Sequence, residues 1–228
     1  MTAPSSGLDR IIPPEIAHDR FYRAIERVGA TPGVAHILEI GSSSGAGSTA
    51  AWVAGALRNP VRPTLHCLEV STARFEALKE RWRAHDFVRC YNVSSVPIGA
   101  FPSEADIVAW QRRHFWSKFG RKRTEVVLGW LRQDLEYLRA HGGGSAGIRA
   151  VREAAGIAAF DAVLIDGSEF TGAAELAEVY GARFLLLDDT ESYKNWDNYR
   201  RLKRDTSYRL VARGRWTRNG FAVFERAG

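Results

Sequence analysis

Glu39-Ile40-Gly41-Ser42-Ser43-Ser44-Gly45 closes a short apolar run, Val34 to Ile40, and opens an Ala-rich helical segment from about Gly47 to Leu57. Strand, tight loop and helix in that order mark the place where open α/β sheets bind ligands, the crevice beyond the carboxyl ends of the strands. Glycines at 41 and 45 permit positive φ and let backbone approach a ligand closely. The loop lacks the full G-x-G-x-x-G spacing of a dinucleotide site.

The same alternation continues outward. Thr64 to Val70 reads as a strand, Thr72 to His85 as a charged amphipathic helix and Phe87 to Asn92 as a strand. Phe160 to Ile165 and Arg183 to Leu187 are short apolar strands around a helical Gly172 to Tyr180. Strands alternating with helices predict an α/β, Rossmann-like, doubly wound and mostly parallel sheet. Tyr208 to Arg213 and Phe221 to Glu225, joined by a turn carrying Asn219-Gly220, predict an antiparallel hairpin that completes seven strands.

Upstream, Met1 to Pro14 is polar and Pro-bearing and reads as a loose arm. A helix from His18 to Val28, with Phe21, Ile25 and Val28 on one face, is expected to cap the sheet. Residues 94–159 are too long for a plain connection and form a helical insertion. Its main helix, Thr124 to His141, carries Val127, Trp130, Leu131, Leu135 and Leu138 on one stripe and stops at Gly142-Gly143-Gly144-Ser145. A lid, a homodimerisation element and a structural cover are the readings open for it.

The whole chain, 228 residues with 45% apolar and 25% charged residues, fits one globular domain. A net charge of +6 admits a nucleic-acid partner, but the Arg excess is scattered among Ala and Gly. Cys67 and Cys90 lie in strand-like runs without metal-ligand spacing and read as buried free thiols. No run approaches the ~20 apolar residues of a membrane span, and the expected location is the cytoplasm.

The acids discriminate between cofactors. A dinucleotide would bring a pyrophosphate toward Glu39, whereas S-adenosylmethionine brings an ammonium and a sulfonium, which a carboxylate tolerates better. Glu69, ending the second strand in Leu68-Glu69-Val70, is placed to accept hydrogen bonds from both hydroxyls of a ribose.

The motifs at 39–45 and 68–70, together with Phe160-Asp161-Ala162-Val163-Leu164-Ile165-Asp166-Gly167 and the terminal hairpin, resemble in order those of class I S-adenosylmethionine-dependent methyltransferases. Within them the pattern is similar to the small-molecule O-methyltransferases of the catechol, caffeoyl-CoA and macrolide-sugar types. The resemblance implies that Glu39, Gly41, Ser43 and Gly45 shape the amino-acid end of the cofactor pocket and that Glu69 grips the ribose. Asn92 to Ser94 would border adenine, with Asp166 also beside the cofactor. It further implies Mg²⁺ held by Asp166, Asp188 and Asp189, although Asp189 stands where the catechol type has Asn. The alternative is that Asp166 orients cofactor or substrate and the Asp pair caps a helix. Glu169 and Lys194 are the candidates for a general base toward a small-molecule acceptor.

Trp110 to Arg123 interleaves six Lys or Arg residues with Phe115, Trp116 and Phe119. That mixture suits phosphate contacts and base stacking, hence a nucleic-acid methyltransferase as the alternative function. A helix with aromatics inward and cations in water is the simpler reading of the stretch, and a Rossmann-like binding protein without catalysis is the remaining alternative.

Overall fold

The computed structural model describes residues 7–141 and 145–227. Seven strands form one sheet: β1 (His36–Ile40), β2 (Thr64–Glu69), β3 (Val88–Asn92), β4 (Ala162–Ile165), β5 (Phe184–Asp188), β6 (Tyr208–Gly214) and β7 (Phe221–Arg226). Their order is β3-β2-β1-β4-β5-β7-β6, with β7 antiparallel to both neighbours and the other pairings parallel. The expected architecture is therefore present, including the hairpin. After β3 the chain returns to the other side of β1, and this reversal of strand order is where open α/β sheets form a crevice at the carboxyl ends of the strands.

The helices are α1 (Arg20–Gly29), α2 (Ser48–Ala56), α3 (Thr72–Trp82), α4 (Glu104–Arg113), α5 (Thr124–Ala140), α6 (Gly147–Ala154), α7 (Gly172–Val179) and α8 (Tyr193–Arg204). On one face of the sheet, Phe21, Ile25, Trp52, Val53 and Leu78 from the first three helices pack over Ile37, Leu65 and Leu164. On the other, Ile148, Val151, Leu176, Val179, Tyr199 and Leu202 pack over Leu38, Ile40, Val163 and Leu185. Burial on both faces is why the central strands read as continuous apolar runs rather than alternating ones. α1 caps the sheet as expected, stacking Phe21 on Phe221 with ring centroids 4.6 Å apart.

The insertion has its own small core of Ile107, Trp110, Phe119, Val127 and Leu131, closed by Phe170 and Trp196 of the main fold. The stretch 110–123 is not one helix: α4 ends at Arg113, and turns follow to Arg123. α4 begins with a capping box, Ser103 and Asp106 bonding each other's backbone amides. The Gly142–Gly144 helix stop and the first six residues of the arm lie outside the described residues.

The rest of the arm is anchored rather than loose. Asp9 Oδ1 accepts from Ser71 Oγ (2.9 Å) and from Tyr137 Oη of α5 (2.8 Å), and Arg10 O accepts from Arg74 Nε (3.1 Å). Cys67 and Cys90 are register partners on β2 and β3, both free; Cys67 is buried, but Cys90 is only half-buried because β3 is the edge strand. Among the described residues no helix is long and apolar enough to cross a membrane.

Candidate active site

A cleft of about 420 Å³ opens at the carboxyl ends of β1, β2, β4 and β5. Gly41 turns the chain out of β1 at φ +84°, and a methyl group there would sit 2.2 Å from the Asp166 carbonyl oxygen. The glycine is thus required by the contact between the loops after β1 and β4. Ser43 follows at φ +48°, a left-handed conformation unusual for a side-chain-bearing residue. Its amide donates to Glu69 Oε2 (2.7 Å), and Ser71 N donates to Glu69 Oε1 (2.8 Å).

Glu69 thereby lies along the cleft wall with each oxygen holding one amide. A carboxylate has about four acceptor positions, so both oxygens keep capacity for further donors. Beside the same turn α2 begins at Gly47 without a side-chain cap, and Gly47 and Ser48 also line the cleft. An uncapped helix start suits an anionic group. Leu8, Ile12, Pro13 and Pro14 of the arm and Trp130, Asp134 and Tyr137 of α5 cover the cleft from above.

Of the residues expected to meet a cofactor, Gly41, Ser43, Glu69, Ser94 and Asp166 line this cleft, whereas Glu39, Gly45 and Asn92 do not. Glu39 shares a strand face with Ile37, since side chains alternate, and that face is turned under α2. It is fully buried and accepts from Thr49 Oγ1 (2.6 Å), which pins α2 to β1. Burial pushes its carboxyl above the usual range, so its charge is not aimed at a ligand. Gly45 faces α3, where a methyl group would meet Trp82 Nε1 at 2.6 Å and Leu78 Cδ1 at 2.7 Å. Asn92 Nδ2 donates to the carbonyls of Glu69 (2.9 Å) and Val70 (3.0 Å), bracing the end of β2.

Beyond this half of the cleft lies the carboxylate cluster. Ligand oxygens of Asp166, Asp188 and Asp189 come within 4.8 Å of one another. A cationic side chain is already among them: Lys194 Nζ is 2.8 Å from Asp166 Oδ1 and 3.0 Å from Asp189 Oδ2. The third, Asp188 Oδ1, accepts from Arg218 (2.7 Å), which also pairs with Asp19. Asn219 Nδ2 donates to Asp189 Oδ1 (3.2 Å).

The electrostatics follow from these contacts. Burial disfavours the Lys194 ammonium, but Asp166, Asp189, Glu169 and Asp188 outweigh it and hold its pKa well above normal. Lys194 is therefore a fixed cation at neutral pH, not the proton acceptor that was the second candidate for the base. Asp188 is pushed up to about 6 by burial and by Asp189, while Lys194 and its companion contacts hold Asp189 below the usual range against burial. Glu169 lines the cleft and accepts from Ser192 Oγ and from Lys194 N (3.2 Å); burial raises its pKa.

Asp134, which the sequence reading passed over, also faces the cleft. It accepts from Ser168 Oγ (2.6 Å), and burial raises its pKa. Its only sequence signal was an acid on the α5 stripe side near Leu131 and Leu135.

Solved structures share this fold. A methyltransferase from Geobacter sulfurreducens superposes with a TM-score of 0.52 over 94% of this chain and 82% of its own, at 12% identity. An O-methyltransferase from Bacillus cereus, solved in complex with SAH, gives 0.51 over 94% and 84%, at 11% identity. The fold is the class I methyltransferase fold. No protein-family model and no curated protein matches the sequence. In the methyltransferase fold of this chain, the Gly-rich turn and Glu69 lie on one side of the cleft and the Lys194 cluster on the other.

Proposed function

We propose that this chain is an S-adenosylmethionine-dependent methyltransferase that acts on an oxygen of a small molecule, with a lysine ammonium where the O-methyltransferases it resembles hold Mg²⁺. The observation that carries the reading is that one cleft holds both the Glu69 carboxylate and the uncapped start of α2. That pairing matches a ligand with a ribose at one end and an amino-acid carboxylate at the other. The SAH bound to the Bacillus cereus neighbour supports the same choice.

S-adenosylmethionine, when bound, supplies a methyl group made electrophilic by its positive sulfur. Glu69 would take hydrogen bonds from the ribose hydroxyls. The first amides of α2 would face the carboxylate. The arm and α5 exclude water from above, and Asp9 ties both to the end of β2 through Ser71 and Tyr137. On the acceptor side, Glu169 takes the hydroxyl proton and Lys194 stabilises the negative charge left on oxygen. In-line alignment of that oxygen with the methyl carbon supplies the remainder.

A resident divalent ion fits this donor set poorly. Lys194 already spans two of the three carboxylates and Arg218 neutralises the third, so an ion would meet two fixed cations. Of the three aromatics that the nucleic-acid alternative needs for stacking, Phe119 is buried in the insertion core, while Phe115 and Trp116 stay exposed.

A thermal-shift panel tests the reading. At about a hundredfold excess over Kd, S-adenosylhomocysteine should stabilise the fold by about 2.7 kcal/mol. NAD should leave the melting temperature where it was, as should Mg²⁺ or EDTA. Stabilisation by NAD with none from S-adenosylhomocysteine would reject it.

A further inference from the structure

A second concavity, about 720 Å³, lies outside the cleft between the α8 surface, the turn after α4 and the β6–β7 turn. Lys118, Arg200, Lys203, Arg204, Arg213 and Arg215 line it against a single acid, Glu191. Glu191 is engaged by two of them at a distance, Arg213 at 3.6 Å and Arg215 at 3.7 Å. Two indoles stand in solvent at its rim, Trp116 at 53% and Trp216 at 90% exposure. A lone exposed Trp is unremarkable, but two beside six cations in one concavity are the components of a site for phosphate plus an aromatic ring.

Two unmet polar groups point the same way. Tyr199 is 5% exposed and lines the groove, yet its hydroxyl has no hydrogen-bond partner among the described residues, and neither does buried Arg213 Nε. Burying such groups unpaired is costly, and a bound acceptor oxygen would relieve it. The groove is also next to the cleft: Asn219 lines it while donating to Asp189.

We propose that this groove binds a nucleoside diphosphate or a molecule carrying one, the diphosphate among the cations and the base on Trp216. Size and layout favour a single nucleotide unit over a strand. The volume falls within the ordinary range for one small ligand, roughly 300 to 1,000 Å³. A strand needs stacking rings repeated along a track, and here the Trp196 face is already covered by Arg200, whose guanidinium carbon is 3.4 Å from the ring centroid. The proposal stands apart from methyl transfer, since it requires only binding.

Calorimetric titration of the full chain, kept saturated with S-adenosylhomocysteine, tests it with ADP, UDP, inorganic pyrophosphate and a ten-residue oligouridine. ADP or UDP should bind with a Kd below about 1 mM and more tightly than pyrophosphate. Trp216→Ala, at an exposed turn position, should weaken nucleotide binding about tenfold, within what one base–aromatic stack supplies, and leave pyrophosphate unchanged. Lys118→Glu with Lys203→Glu should weaken both. Absence of nucleotide binding, binding indifferent to Trp216→Ala, or much tighter oligouridine binding would each overturn the proposal. Because Trp216 lies outside the cofactor cleft, a failed cofactor reading would show instead as loss of the S-adenosylhomocysteine heat itself.

Discussion

Glu69 and Lys194 divide the work of the cleft between a negative and a positive wall. Glu69 is held by two backbone amides, so its replacement removes both the proposed ribose contact and a support for the Ser43 turn. Glu69→Ala should weaken S-adenosylhomocysteine binding by roughly 1 to 3 kcal/mol, the range for hydrogen bonds to a charged group. Calorimetry reads this directly, and unchanged affinity would remove Glu69 from the site. Lys194→Ala leaves Asp166 and Asp189 without the cation they share, a loss of about 3 to 5 kcal/mol by analogy with other broken buried pairs. The variant should regain stability on adding Mg²⁺, whereas the parent should not respond. A parent protein that is itself stabilised by Mg²⁺ would show that the ammonium yields its place to an ion. Glu169 makes a pH prediction as well: with its pKa raised by burial, its basic form accumulates only as pH rises beyond the usual carboxylate range. Methyl transfer should therefore increase with pH through that window, and Glu169→Gln should lower the rate about 10²- to 10⁴-fold and flatten the limb.

At the scale of elements, the strands and the Gly-rich turn were legible because their signals are local. Period and turn chemistry placed β1 to β7 to within two residues. The roles of the two loop glycines were not, since Gly41 answers to the carbonyl of Asp166 and Gly45 to Trp82, contacts far off in sequence. Gly41→Ala should accordingly destabilise the fold by about 2 kcal/mol or more, combining a left-handed backbone with a forced shift of the β4 loop; a melting temperature equal to the parent's would contradict it. A helix capped by the Asp pair was one reading, but Ser192 holds the N-cap position of α8 instead, and the extent of the helix was hidden because its inward face mixes Trp196, Tyr199 and Leu202 with buried Asn195 and Asn198. Asn195 Nδ2 donates to the carbonyls of Ile165 (3.0 Å) and Asp188 (2.6 Å), so polar residues at core positions stitch the ends of β4 and β5 beneath the cluster. The basic–aromatic stretch misled for a related reason. Its composition is uniform, but the break at His114 sends Trp110 and Phe119 into the core and leaves Trp116 and Lys118 on the groove.

Across the whole molecule, the sheet's stability should depend on pH through His66. Burial first, then His36 and Arg89, lower its pKa to about 4, while the unfolded chain titrates near the ordinary histidine value of about 6.5. Between those values the unfolded state binds the extra proton, so stability is complete above the upper value and declines as pH falls toward the lower. His66→Gln should flatten the fall in melting temperature between those two pH values; an unchanged slope would locate the acid sensitivity elsewhere. The cofactor pocket, the Lys194 cluster and the basic groove lie along one end of this sheet, and the resemblance visible in sequence order reached only the first two. Its claim on function rests on the pocket between the turn after β1 and the acid ending β2. Crystals of the protein grown with S-adenosylhomocysteine test it most directly. The account predicts density with both ribose hydroxyls within about 2.6 to 3.2 Å of the Glu69 carboxylate and the ligand's carboxylate at the start of α2. The compound bound elsewhere, or the cleft holding no density at saturating concentration, would contradict it.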